Sequence, residues 1–178
     1  MSAVRSLPVL TNEDAKTCGA CGGKCCKGMP GILAPEDVGA PDRDVMRARL
    51  VEMLSSGRYA IDWWEGDPRR KAERGDDDYL GSVDYVRPAV KGYEGQLEHP
   101  SWGGECTFLR PDGCSMSFAE RPHNCRELVP SAEWARNGCK LTGDLDKRAY
   151  VLMWLPYADL LTDIRDDVRR STQDKEKA

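Results

Sequence analysis

Phenylalanine and histidine each occur only twice in these 178 residues, and no long hydrophobic run exists. The longest apolar stretch, residues 150–155, is far short of the roughly 20 residues a membrane-crossing helix needs. No membrane partner is therefore expected. Two histidines leave no readable Ser/His/Asp arrangement. No phosphate-cradling loop is present, since GGKCC at 22–26 lacks the spacing. Excess positive charge is missing too. The net charge is −4, and basic residues alternate with acids, as in Arg43, Asp44, Arg47 and Arg49. Nucleic acid is thus not an expected partner, because that role needs a basic face. No secretory apolar core is readable in residues 1–10, so a cytoplasmic location is expected. No internal repeat is visible.

What is there is cysteine, eight of them: Cys18, Cys21, Cys25, Cys26, Cys106, Cys114, Cys125 and Cys139. Residues 18–31, CGACGGKCCKGMPG, hold four cysteines and five glycines, and so have almost no side chain to bury. Reducing conditions disfavour disulfides, which turns the reading toward metal. Cys18-x2-Cys21 is the first half expected of a structural zinc site or a cluster-binding loop. Adjacent Cys25 and Cys26 splay apart in most backbone conformations and need not serve the same ion. The glycines allow tight folding and expose N–H groups to sulfur. Cys106 and Cys114 flank Pro111-Asp112-Gly113, a turn, so a hairpin would bring them together. Arg121, Arg126 and Lys24 could offset the charge of a thiolate site.

The remaining chain predicts short elements. Val45, Met46, Leu50, Met53 and Leu54 form a helical stripe over 41–57. Residues 58–64 alternate as a strand, with Tyr59, Ile61 and Trp63 on one face. Asp67-Pro68 opens a polar stretch to Asp78. A second strand is expected around 83–87, a glycine-rich loop over 91–105, a strand at 106–109 and a short helix over 118–128. Residues 150–155 suit a buried strand. Pro156 then starts a terminal amphipathic helix carrying Leu160, Leu161, Ile164 and Val168. The expected fold is α+β: a small single domain with short strands, two main helices and long loops, fastened by a cysteine metal site. The domain spans 18–170, after a flexible lead-in at 1–17 and before a disordered tail at 171–178.

The motifs CGACGGKCC at 18–26, CTFLRPDGCS at 106–115 and RPHNCREL at 121–128 occur in one order. This pattern resembles the YkgJ-type cysteine-cluster proteins, described as zinc- or iron-chelating CxxCxxCC domains. A related domain occurs in flagellin lysine N-methylases. The resemblance implies chelating roles for Cys18, Cys21, Cys25, Cys26, Cys106, Cys114 and Cys125. Cys139 lies beyond the motif and joins the set by its chemistry. Three residues rather than two precede the paired cysteines, and Met116-Ser117-Phe118 stands where the family has Ile-Tyr.

Other residues admit plainer roles. His123 is a candidate ligand or a turn cap, and His99 a loop residue. Asp76-Asp77-Asp78 reads as a solvated run, because a calcium loop needs alternating ligands. Trp63, Trp64 and Trp102 suit packing or a partner surface. The first functional expectation is a mainly structural zinc or iron–sulfur site joining the N-terminal loop to the second-half hairpin. Alternatives are an iron–sulfur enzyme or accessory in redox or methylase-like chemistry, and a protein-interaction component with a metal staple.

Overall fold

A computed structural model describes residues 17, 19–66, 68, 81–100, 103–129, 140–141 and 147–176. Cys18, Cys139, Trp102 and the 76–78 acids lie outside these residues, as does most of the polar stretch from Asp67 to Asp78. The fold is α+β, as expected. Among the described residues no helix is long and apolar enough to cross a membrane.

The two main helices are α2 (Arg43–Ser55) and α5 (Ala158–Glu176), with α1 (Lys24–Gly28) preceding them. Asp42 caps α2, accepting from Asp44 N and Val45 N, so Pro41 sits before the helix rather than in its first turn. Met46, Leu50 and Leu54 bury the predicted stripe, while Val45 stays exposed. On α5, Leu160, Leu161, Ile164 and Val168 are buried. The helix runs on to Glu176, past Ser171, where composition predicts disorder. Along the α2–α5 contact, Arg43 pairs with Asp159, and Arg47 with Asp167.

Strands β1 (Tyr59–Glu65) and β2 (Ser82–Pro88) form an antiparallel pair, with Ile61 opposite Val86. Short hairpin strands β3 (Leu109–Arg110) and β4 (Gly113–Cys114) flank the expected turn. The strand predicted at 106–109 is thus shifted. Cys106 makes only an isolated bridge to Val90, and Phe108 lies in a turn. The helix predicted over 118–128 divides at Arg121-Pro122 into a 3₁₀ turn (Phe118–Glu120) and α3 (His123–Arg126). Proline there disfavours helical backbone in the residue before it. Strands β5 (Leu128–Val129) and β6 (Lys140–Leu141) pair antiparallel.

Residues 150–155 are not a strand. They span the end of α4 (Lys147–Leu152), a turn at Met153 and Trp154, and the start of a 3₁₀ turn, Leu155–Tyr157. Tyr150, Val151 and Trp154 are buried, a helical spacing, whereas Met153 and Leu155 are exposed. Six apolar residues carry too little periodicity to separate the two states. Trp154, fully buried, donates its indole N–H to the Leu33 carbonyl at 2.8 Å.

One contiguous core joins Ile32 and Leu33, the stripes of α2 and α5, Ile61, Val86 and Trp154. Val90, Cys106, Phe108 and Leu109 are buried outside that cluster. The described segment from Val90 to Cys125 therefore has only a small apolar nucleus of its own.

Candidate functional site

Five cysteines from separate parts of the chain line one cavity of about 40 Å³. Cys25 and Cys26 come from α1, Cys106 from the bridge to Val90, Cys114 from β4 and Cys125 from α3. Met116 and Arg121 lie on the same wall. The Sγ atoms of Cys25 and Cys26 are 3.8 Å apart. None of the six described cysteines is bridged. By the rule that one water needs about 10–15 Å³, the space suits roughly three water-sized bodies.

Backbone hydrogen bonds hold the N-terminal loop to the second half. Cys106 N–H donates to the Cys26 carbonyl at 2.8 Å, and Gly104 N–H to the Gly28 carbonyl at 3.1 Å. Gly23 caps α1 with φ +67°, and a Cβ there would lie 2.2 Å from Leu109 Cδ1. Left-handed backbone and close approach both require glycine.

Cys125 is placed by polar groups on α3. Asn124 Oδ1 accepts from Ile32 N at 2.9 Å, and Asp37 Oδ2 accepts from His123 N at 2.8 Å. The Arg126 guanidinium pairs with Asp37, whose Oδ2 also accepts from Ala34 N at 2.9 Å. The segment just after the paired cysteines is thereby tied to the helix bearing Cys125. Asp37, Asn124 and Gly31 are missed by motif reading. Only the Asn124–Cys125 adjacency hints at them, because their partners are about ninety residues away in sequence.

Gly31 leaves no room for a side chain. Its added Cβ would sit 2.1 Å from Cys125 Sγ and 2.7 Å from Asn124 Oδ1. Gly31→Ala therefore has to displace α3, and overpacking of this kind costs about 1–3 kcal/mol. Urea denaturation should show that loss, with faster reaction of Cys125 with a thiol reagent. An unchanged midpoint and an unchanged thiol rate would refute the close fit.

The sulfurs oppose one another's ionisation. The Cys26 thiol is pushed up by its hydrogen bond with Cys25, then by desolvation and by the Cys25, Cys125 and Cys106 charges. Desolvation pushes Cys106 up to about 11, with Cys114 and Cys25 adding to it. Cys125 is raised by desolvation and then by Cys106, Cys25 and Cys114, while Arg121 opposes the rise. Several thiolates could coexist here only around a positive centre.

Other sequence candidates sit elsewhere. Cys21 is half-buried and is not on the cavity wall. His123 also lies off the wall, with Nε2 3.8 Å from Glu127 Oε1 and its ring 6.0 Å from Tyr150. His99 Nδ1 lies 3.3 Å from the Arg87 guanidinium, and its ring is against Tyr93. Of the cations suggested to offset thiolate charge, Arg121 is on the wall, Arg126 serves Asp37 and Lys24 is exposed. Trp64 packs against the core.

Among the described residues, no group of three or more Cys, His, Asp and Glu side chains is disposed to hold a metal ion as it stands. Lining a common cavity is the weaker condition, and the five sulfurs meet it. No family of known proteins, no curated protein and no solved structure matches the chain.

Proposed function

We propose that this is a metal-binding cysteine-cluster protein. A zinc ion or an iron–sulfur cluster fastens its N-terminal cysteine loop to the second-half hairpin. The convergence of five cysteines from distant segments on one cavity carries this reading. Their donor chemistry fits, since thiolates suit zinc and iron–sulfur clusters and four suffice for either. The residues that would hold the metal are drawn from Cys25, Cys26, Cys106, Cys114 and Cys125. As placed these side chains do not form a ligand shell, so binding would require them to rearrange. Arg121 lies where it offsets the negative charge of such a site. Cys18, Cys21 and Cys139 enter the ligand set through the motif resemblance and thiol chemistry, not through this cavity.

A bound metal supplies positive charge that lets neighbouring thiols ionise together. The protein's own part is to hold the sulfurs within reach through Gly23, Gly31, Asp37 and Asn124. Protein purified anaerobically should carry zinc and be colourless, or carry iron and be brown with broad visible absorbance. Elemental analysis beside the spectrum decides between them. Folded protein with neither metal, and with every thiol open to alkylation, would overturn the reading.

A further inference from the structure

The buried Arg87 guanidinium faces two unlike groups. At its Nε edge, Asp62 Oδ2 accepts at 2.7 Å. Its Nη2 reaches the loop after β2, donating to the His99 carbonyl at 2.6 Å and lying 3.3 Å from His99 Nδ1. A guanidinium can only donate, so Nδ1 is the acceptor and the ring is neutral, with its proton on Nε2. The ring also packs on Tyr93, with centroids 4.1 Å apart.

His99 stands where this loop docks. Its N–H donates to the Ile61 carbonyl at 3.1 Å, Ile61 N–H donates to the Leu97 carbonyl at 2.8 Å, and Glu98 bridges Ile61. Gly95 N–H donates to the Gly57 carbonyl at 2.8 Å. Glu98 pairs with Arg165 at 3.0 Å and with Arg169, both on α5. Nearer β2, Glu94 Oε1 accepts from Thr107 Oγ1 at 2.7 Å, beside the cavity residue Cys106. The charged and titratable groups around His99 are thus Arg87 from β2, Asp62 from β1, Tyr93 and Glu98 from its own loop, and Arg165 and Arg169 from α5.

Protonation reverses the ring's role. An imidazolium carries a donor on both nitrogens, so its Nδ1–H would point at a buried guanidinium that is always charged. Desolvation, then the Arg87 charge, hold the His99 ring below its ordinary value of 6.5, while Asp62 acts the other way. The docked ring therefore takes up a proton less readily than a ring released to water. Docking is complete above the ordinary histidine range and weakens as pH falls through it.

We propose that His99 is an acid-sensitive latch, whose protonation frees residues 95–99 from the edge of β1. The latch is built by β1, β2 and its own loop, and it stands whether or not the sulfur cavity holds a metal.

Long-range proton–nitrogen NMR on the purified full chain reads the two histidine rings, His99 and His123, separately. Near neutral pH, His99 should be the Nε2–H tautomer. Between about pH 7.5 and about pH 5 its ring should protonate, and the Ile61 and His99 amides should lose hydrogen-exchange protection with it. The loss, corrected for intrinsic rate, is at most about tenfold per pH unit, the limit for one proton. Amides of α2 should stay protected. Asparagine sets an amide oxygen close to the Nδ1 position and takes up no proton, so His99→Asn should keep the loop docked throughout. Four results would overturn the proposal: an Nδ1–H tautomer near neutral pH, a ring still neutral at about pH 5, protonation with both amides still protected, or equal loss in His99→Asn. The first three need no variant, so they decide even where asparagine disturbs the loop. The fourth would trace release to the carboxylates instead.

Discussion

If a metal fastens the sulfur cavity as proposed, chelating it under reducing conditions should unfold residues 89–126, and Cys106→Ser or Cys125→Ser should do the same. Val90, Phe108 and Leu109 are buried there outside the main core, and β3 and β4 are two residues each. So little apolar burial cannot order residues 89–126 strongly by itself. A structural zinc site brings about 10–16 kcal/mol of apparent binding free energy, whereas a whole domain is stable by about 5–15 kcal/mol. Its loss therefore outweighs any single core substitution. Hydrogen exchange should quicken over 103–126 while α2 and α5, which share the contiguous core, stay protected longer. Cys21→Ser separates the two ligand sets, because Cys21 is off the cavity wall: retained metal assigns the site to the five cavity cysteines, and lost metal assigns Cys21 to the set the motif resemblance implies. If chelation leaves exchange over 103–126 as slow as before, the metal is not the fastener.

Asp62→Ala should destabilise the fold by about 3–5 kcal/mol, the cost of stranding a buried charge. The Arg87 side chain is 0% exposed and that of Asp62 3%. Asp62 Oδ2 accepts from Arg87 Nε at 2.7 Å and from Tyr85 Oη at 2.9 Å. The guanidinium also donates to the Pro88 carbonyl at 2.9 Å and the His99 carbonyl at 2.6 Å. Removing the carboxylate leaves Arg87 charged, desolvated and without its counterion. Replacing both residues, Asp62→Leu with Arg87→Met, should recover much of the loss, since a buried pair and its apolar substitute are often near neutral. Urea midpoints of the two variants measure this. A double variant no more stable than Asp62→Ala alone would mean that the network's hydrogen bonds, rather than the stranded charge, set the cost.

That ion pair also marks where strand periodicity stopped being informative. Alternation placed Tyr59, Ile61 and Trp63 on one face of β1, which makes Asp62 read as a solvent-facing residue. The loop after β2 pairs instead along the edge of β1, where Ile61 and Glu98 form an isolated parallel bridge. Ile61 N–H donates to the Leu97 carbonyl at 2.8 Å, and His99 N–H donates to the Ile61 carbonyl at 3.1 Å. Ala60, Ile61 and Asp62 are all buried, with Asp62 held by Arg87 and Tyr85 of the neighbouring strand. A loop pairing with the edge of a strand so far away in sequence leaves no period in either segment, and a lone Asp does not announce a partner on the next strand.

Local order alone determined α2, α5 and the turn at 111–113. A helical stripe and a Pro-Asp-Gly sequence act through neighbours a few residues apart, so their physics is complete within a short window. Cysteine spacing likewise pointed to thiol chemistry, and pattern reading named all five cysteines now found on the cavity wall among its eight. Which of the six described cysteines meet was decided by tertiary structure. Asp37 and Asn124 bind α3 to residues about ninety positions earlier, and Gly31 admits Cys125 only because it has no side chain. Convergence of this kind depends on hydrogen bonds and packing between segments far apart in the chain, and no short stretch of sequence contains both partners.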